Sequence, residues 1–219
     1  MARKLLIGIA ALLALVLGVG AFLPKDVTVT RSLTIAAPAE RLYALVATPR
    51  EWPQWSPWHA RDRKMTITYG GATSGAGATW SWASKSEGDG QMRLTEAKAP
   101  TAVAYELTIA GMGPPSHGRF DLAPSGSATT VTWTMTSTMG MGPIGGWMAL
   151  WFPSVIGKDF DAGLANLKKL AELASAPEPA PPAGADAAAP GAASPMGAAP
   201  EPTGGALPAA PEPAPRPKP

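Results

Sequence analysis

The sequence predicts an α+β domain in which a curved, seven-stranded antiparallel sheet wraps around one long C-terminal helix. Three observations carry this reading. From Asp26 onward the chain is a succession of short runs with alternating apolar and polar residues. Turn residues separate these runs at short intervals, which favours antiparallel pairing. The run Phe152–Ala174 then changes period, with Ile156, Phe160, Leu164, Leu167 and Leu170 on one helical face. Lys158, Asp161, Lys168, Lys169 and Glu172 lie mostly on the other side, so this helix covers something apolar and shows charge to water.

The 219-residue chain divides by composition into three zones, 1–25, 26–174 and 175–219. Leu5 to Leu23 holds no charged residue and follows Arg3-Lys4. Its nineteen residues just span a hydrocarbon core of about 30 Å. The basic flank places the N-terminus in the cytoplasm and the rest of the chain outside it. Small residues at Val19-Gly20-Ala21 leave a cleaved signal peptide as the rival reading, but the uninterrupted apolar length favours a retained anchor. Either way the domain is exported.

The net charge of +2 is spread thinly, and no Lys/Arg stripe suits nucleic acid. The absence of cysteine excludes disulfides, thiolate catalysis and Cys-ligated zinc. The final zone, Ser175–Pro219, is Ala/Pro/Gly-rich with almost no large apolar residue. It is expected to remain disordered, because it buries too little to offset its ordering entropy.

The first strand, Val27–Ile35, puts Val27, Val29, Leu33 and Ile35 on one face and hydroxyl residues on the other, with Arg31 interrupting the apolar side. A short helix follows, with Pro38 expected at its first helical position and Glu40 near the positive end of its dipole. Leu42, Leu45 and Val46 form its buried side, and Pro49 stops it. Trp52, Trp55 and Trp58 come next, three residues apart. Pro53 and Pro57 limit this stretch to one or two helical turns. These rings either plug the end of the core or wall a pocket mouth.

Six more strands are expected over Lys64–Tyr69, Thr79–Ala83, Gln91–Ala97, Ala102–Ile109, Ser116–Leu122 and Ala128–Thr138. The glycine-rich turn Gly70–Gly77 is not a phosphate loop, since a strand follows it and no Lys-Ser/Thr closes it. In the last strand Val131, Trp133 and Met135 oppose a threonine face. The charge-free stretch Met139–Phe152 admits two readings. It is either the buried first turn of the closing helix or a lid that caps a cavity and rests on lipid, with Trp147, Met148 and Trp151 as the lid residues.

Catalytic chemistry is sparse. His59 sits in a loop beside Trp58, Arg61 and Arg63. His117 shares strand parity with Arg119 and Asp121, opposite Phe120 and Leu122, and so points away from the core. No nucleophile elbow, HExxH or paired-histidine metal spacing is present. No catalytic set, metal site or cofactor is expected.

The order of elements resembles the helix-grip fold of the START-like superfamily, also called SRPBCC or polyketide cyclase/dehydrase-like. The matching residues are Val29–Glu40 with Leu42, Tyr43 and Val46, then Trp52–Trp58, Gly75–Trp80, Thr130–Trp133 and Phe160–Leu164 with Leu167 and Lys168. The resemblance spans about Asp26 to Leu173. It implies one cavity that serves lipid carriers, cyclases and chaperone activators alike, with no fixed catalytic set.

The expectation is therefore a membrane-tethered module that holds a lipid or other apolar small molecule between the closing helix and the sheet. Trp80, Trp82, Tyr105, Leu107, Trp133, Met135, Phe160 and Leu164 are the expected lining. A cyclase or dehydratase using the same cavity and a structural envelope protein with a filled core are the alternatives.

Overall fold

The computed structural model describes residues 1–173, so the expectations for Ala174 and for the tail Ser175–Pro219 lie outside the described residues. The chain begins with helix α1 (Ala2–Phe22), whose side chains are almost all exposed. It is long and apolar enough to cross a membrane, as a membrane anchor or a signal sequence is.

Strand β1 (Asp26–Ile35) follows with Val27, Val29 and Ile35 buried, the period-2 pattern of a half-buried strand. Helix α2 (Ala39–Ala47) buries Leu42, Leu45 and Val46. Pro38 is the residue before this helix rather than its first helical one: its ψ of 148° is extended. A 3-10 turn (Pro49–Glu51) leads to the short helices α3 (Trp52–Trp55) and α4 (Pro57–Arg61). The two prolines sit at helix starts, where a missing N–H costs nothing.

Strands β2 (Thr66–Gly71), β3 (Ala78–Ala83), β4 (Gly90–Lys98), β5 (Ala102–Ile109), β6 (Ser116–Ser125) and β7 (Ala128–Thr138) complete one sheet in the order β1-β7-β6-β5-β4-β3-β2. Every pairing is antiparallel. β1 closes against β7, so the edges are β1 and β2. β2 starts at Thr66 rather than Lys64, because Met65 is held in a turn by its N–H to the Asp62 carbonyl at 3.2 Å.

On the outer face, β1 and β7 form a hydroxyl ladder. Thr30 meets Thr134 at 3.2 Å, Ser32 meets Thr132 at 2.9 Å and Thr34 meets Thr130 at 3.0 Å. This is cross-strand pairing on a wet face. The inner face carries Val29, Val131, Trp133, Phe120, Val103, Tyr105 and Leu94, all buried.

Helix α5 (Pro143–Leu173) lies along that inner face. Its core-facing residues are Phe152, Phe160, Leu164, Leu167 and Ala171, with Ile156 and Leu170 half-buried beside them. The helix begins nine residues before the expected Phe152. Pro153 does not break it there. Met139–Gly142 is thus the only non-helical part of the stretch expected as a lid. Arg31, the charge on the inner side of β1, reaches Asp161 of α5 at 3.2 Å and lies against Gly157, where a Cβ would collide with its guanidinium.

Candidate ligand cavity

Two of the three tryptophans of the α3–α4 region enter the core. Trp52 and Trp55 are buried, and their indole N–H groups donate to the Val46 and Leu45 carbonyls at 3.0 and 3.3 Å. Those carbonyls belong to the last turn of α2, which has no partners of its own for them. Each ring thus buries its apolar body while its polar handle is satisfied.

Trp133 is the hub of the aromatic cluster. It stacks on Phe160 with centroids 3.8 Å apart and planes 5° from parallel, and on Phe120 at 4.7 Å. Trp52, Trp55 and Trp58 meet it edge-on between 5.8 and 6.4 Å. Its N–H donates to the Tyr105 hydroxyl at 2.8 Å. Burial pushes the Tyr105 phenol well above its ordinary range, and the Trp133 bond offsets part of that shift.

Beside this cluster the sheet and α5 border a partly open cavity of about 310 Å³. Its wall includes Trp52, Trp80, Trp82, Met92, Leu107 and Phe152. Of the eight residues expected as lining, Trp80, Trp82, Tyr105, Leu107, Trp133, Met135 and Phe160 face this space. Leu164 is the exception: it is buried one turn further along α5, in the part of the core that is already filled.

The three expected lid residues do not border the cavity either. Trp147 donates to the Val16 carbonyl of α1 at 3.0 Å, Met148 packs on the core, and Trp151 is exposed. The wall at that end comes instead from Met112 and Pro114 in the β5–β6 loop and from Met139. The signal for these was in the sequence, as Gly111-Met-Gly-Pro-Pro115 between two strands, but a loop has no period to orient its side chains.

One side of the cavity is polar. Arg61 binds Glu87 at 2.8 Å and Asp159 at 2.7 Å, joining α4, the β3–β4 turn and the middle of α5. These two carboxylates hold the guanidinium proton well above the usual arginine range. One guanidinium against two carboxylates leaves this corner of the wall with a net negative charge. His59 differs. It belongs to α4 rather than to a loop and borders the cavity. Its Nδ1 is the one buried side-chain N or O atom among the described residues that has no hydrogen-bond partner. His117 faces outward from β6.

The family model described as polyketide cyclase / dehydrase and lipid transport matches residues 26–172. No curated protein is significantly similar. Among solved structures, the di-domain ARO/CYC protein StfQ from the steffimycin biosynthetic pathway is similar, with a TM-score of 0.57 and 12% identity over 69% of this chain and 52% of that one. A Thermus thermophilus protein gives a TM-score of 0.53 at 15% identity over 68% of this chain and 100% of that one. A Thermobifida fusca protein gives 0.51 at 23% identity, over 67% and 93% respectively. At these identities the structures establish the shared helix-grip fold.

Proposed function

Since the chain belongs to the polyketide cyclase / dehydrase and lipid transport family over residues 26–172, we propose that it is a membrane-tethered module that holds a lipid or another apolar small molecule in the cavity between α5 and the sheet. The single observation that carries the reading is the cavity itself. Its volume of about 310 Å³ is within the range of small-molecule sites, and its wall is mostly aromatic, methionine and aliphatic with a few polar groups on one side. In this reading 1–25 is the anchor, 26–174 the ligand-binding domain and 175–219 a spacer. Arg3 and Lys4 keep the N-terminus in the cytoplasm and the domain on the far side of the membrane.

The test is native mass spectrometry of the full chain released from lipid nanodiscs, beside Leu107→Trp, which puts a larger ring into the cavity. A bound apolar mass on the wild type that is lost from Leu107→Trp supports the module. A wild type that carries nothing, or an adduct equal in both proteins, leaves a structural protein whose cavity holds no specific ligand.

One observation favours a second reading, a cyclase or dehydratase. The unpartnered His59 Nδ1 is a buried hydrogen-bonding atom on the polar side of the cavity, in the same short helix as Arg61, and a buried polar group without a partner costs about 1–3 kcal/mol. In an enzyme, that nitrogen would accept a proton from carbon beside a ligand carbonyl. Deuterium exchange into a bound 1,3-diketone by the wild type, abolished in His59→Phe, would establish it. Equal exchange by both proteins would dismiss it.

A further inference from the structure

The outer face of α5 changes character partway along the helix. At Ile144, Leu150, Trp151 and Val155 large apolar side chains are exposed, whereas over 158–169 the exposed residues are Lys158, Asp161 and Lys169 with the small Ala162 and Ala165 between, and a large apolar side chain is exposed again only at the last helical residue, Leu173. The opposite face of the first half, Gly145, Ala149 and Phe152, is buried against the domain. That half is therefore apolar on nearly every side, its exposed Ser154 hydroxyl donating back to the Trp151 carbonyl at 2.8 Å, and no charged residue stands between Asp121 and Lys158. A helix apolar on every side belongs in a core or in lipid.

The same half packs on α1. Gly20 and Gly146 approach so closely that a Cβ on Gly146 would reach the Gly20 carbonyl and come within 2.8 Å of the Leu23 side chain. Trp147 binds the Val16 carbonyl, seven residues back from Leu23, which is about 10 Å of helix rise. The contact thus lies well inside the apolar run of α1, at the depth an interfacial helix occupies.

We propose that the first half of α5 is seated in the bilayer that α1 crosses, with Ile144, Leu150, Trp151 and Val155 in contact with lipid and the Met112–Met139 end of the cavity turned toward the membrane surface. The inference rests on the anchor reading of α1 made above. The geometry of the chain exit agrees with it. β1 begins directly after α1, the Met139 N–H donates to the Lys25 carbonyl at 2.9 Å, and the Gly140 N–H donates to the Met112 carbonyl at 3.3 Å. The end of the sheet nearest α1 is thus the end that contributes Met112, Pro114, Thr138 and Met139 to the cavity wall. An apolar ligand held there would reach the cavity from lipid without crossing water.

The chain has no cysteine, so single-cysteine variants of the full protein take one spin label each. Leu12→Cys, Trp151→Cys, Val155→Cys and Ala165→Cys, all at exposed positions, are reconstituted in phosphatidylcholine–phosphatidylglycerol vesicles. Collision with oxygen and with a water-soluble nickel chelate then reports depth. Leu12, Trp151 and Val155 labels are expected to favour oxygen, and the Ala165 label nickel. If the Trp151 and Val155 labels behave like Ala165 while Leu12 stays in lipid, the seating of α5 is wrong and the anchor stands. If the Leu12 label is also aqueous, both readings fall. Disulfide-linked pairs of Trp151→Cys that increase with protein density in the vesicle would show a second copy on this face and overturn the proposal.

Discussion

Tyr105 and Trp133 stand two strands apart on the inner face of the sheet, and the Trp133 indole N–H donates to the Tyr105 hydroxyl at 2.8 Å. Both are buried and both border the cavity. Tyr105→Phe removes the acceptor and leaves a buried N–H without a partner, which should cost about 1–3 kcal/mol of stability in chemical denaturation. The same pair sets an alkaline response. The folded state keeps the Tyr105 proton beyond the ordinary phenol value of about 10, whereas the unfolded chain loses it there. Stability should therefore decline as pH rises above that value, with a shallower slope in Tyr105→Phe. Parallel slopes would mean that the phenol is solvated.

The bond exists because β6 has no side chain between the two rings. Gly118 pairs with Tyr105 on one side and with Met135 of β7 on the other. A Cβ at this position would lie within the Tyr105 ring. Alanine normally suits a strand better than glycine, so propensity alone predicts that Gly118→Ala is stabilising. The buried ring cannot swing into solvent, and overpacking of about 1–3 kcal/mol should prevail. A melting temperature equal to or above that of the wild type would refute this.

Much of the fold was legible because the alternation in β5 and β7 is unbroken, that in β1 is broken only at Arg31, and the period of α5 is unambiguous from Ile156 to Leu170. The start of α5 was not legible. Pro153 and the glycines at 140, 142, 145 and 146 look like loop residues in isolation, yet Gly146 serves a helix crossing that no local pattern reveals. Leu164 was placed in the cavity by its helical face alone. Face tells inward from outward, but not where the filled core gives way to open space, which depends on how far α5 stands from β3 and β4. His59 was set aside as a loop residue because the Ser56-Pro57 start of α4 was not recognised as a helix cap, although Ser56 accepts the His59 N–H at 3.4 Å.

Leu164 and Leu107 should respond in opposite ways to substitution. Leu164 is fully buried where the core is filled, so Leu164→Ala leaves a void and should cost about 2–5 kcal/mol. Leu107 is half-buried on the cavity wall. Leu107→Trp adds a ring to open space rather than to packed atoms, and its unfolding free energy should stay within about 1 kcal/mol of the wild type. A Leu164→Ala loss below about half a kcal/mol would place that side chain at the cavity after all.

The crossing of α1 and α5 depends on two residues without side chains. A Cβ on Gly20 would lie 2.6 Å from the Trp147 indole nitrogen, and one on Gly146 would strike the backbone of α1. Backbone cannot give way as a flexible side chain does, so Gly146→Leu should push the helices apart and break the Trp147–Val16 bond. Insertion of α1 depends on its own apolar length and should survive the change. The expected result is a protein still found in the membrane fraction whose domain no longer has a fixed tilt on its anchor. Pulsed EPR distances between spin labels at Leu12→Cys and Ala165→Cys measure that tilt. The distribution should be narrow in the wild-type background and broad with Gly146→Leu. If it stays equally narrow, the glycine contact does not hold the crossing, and the orientation of the domain is set by lipid around Trp151 and Val155 alone.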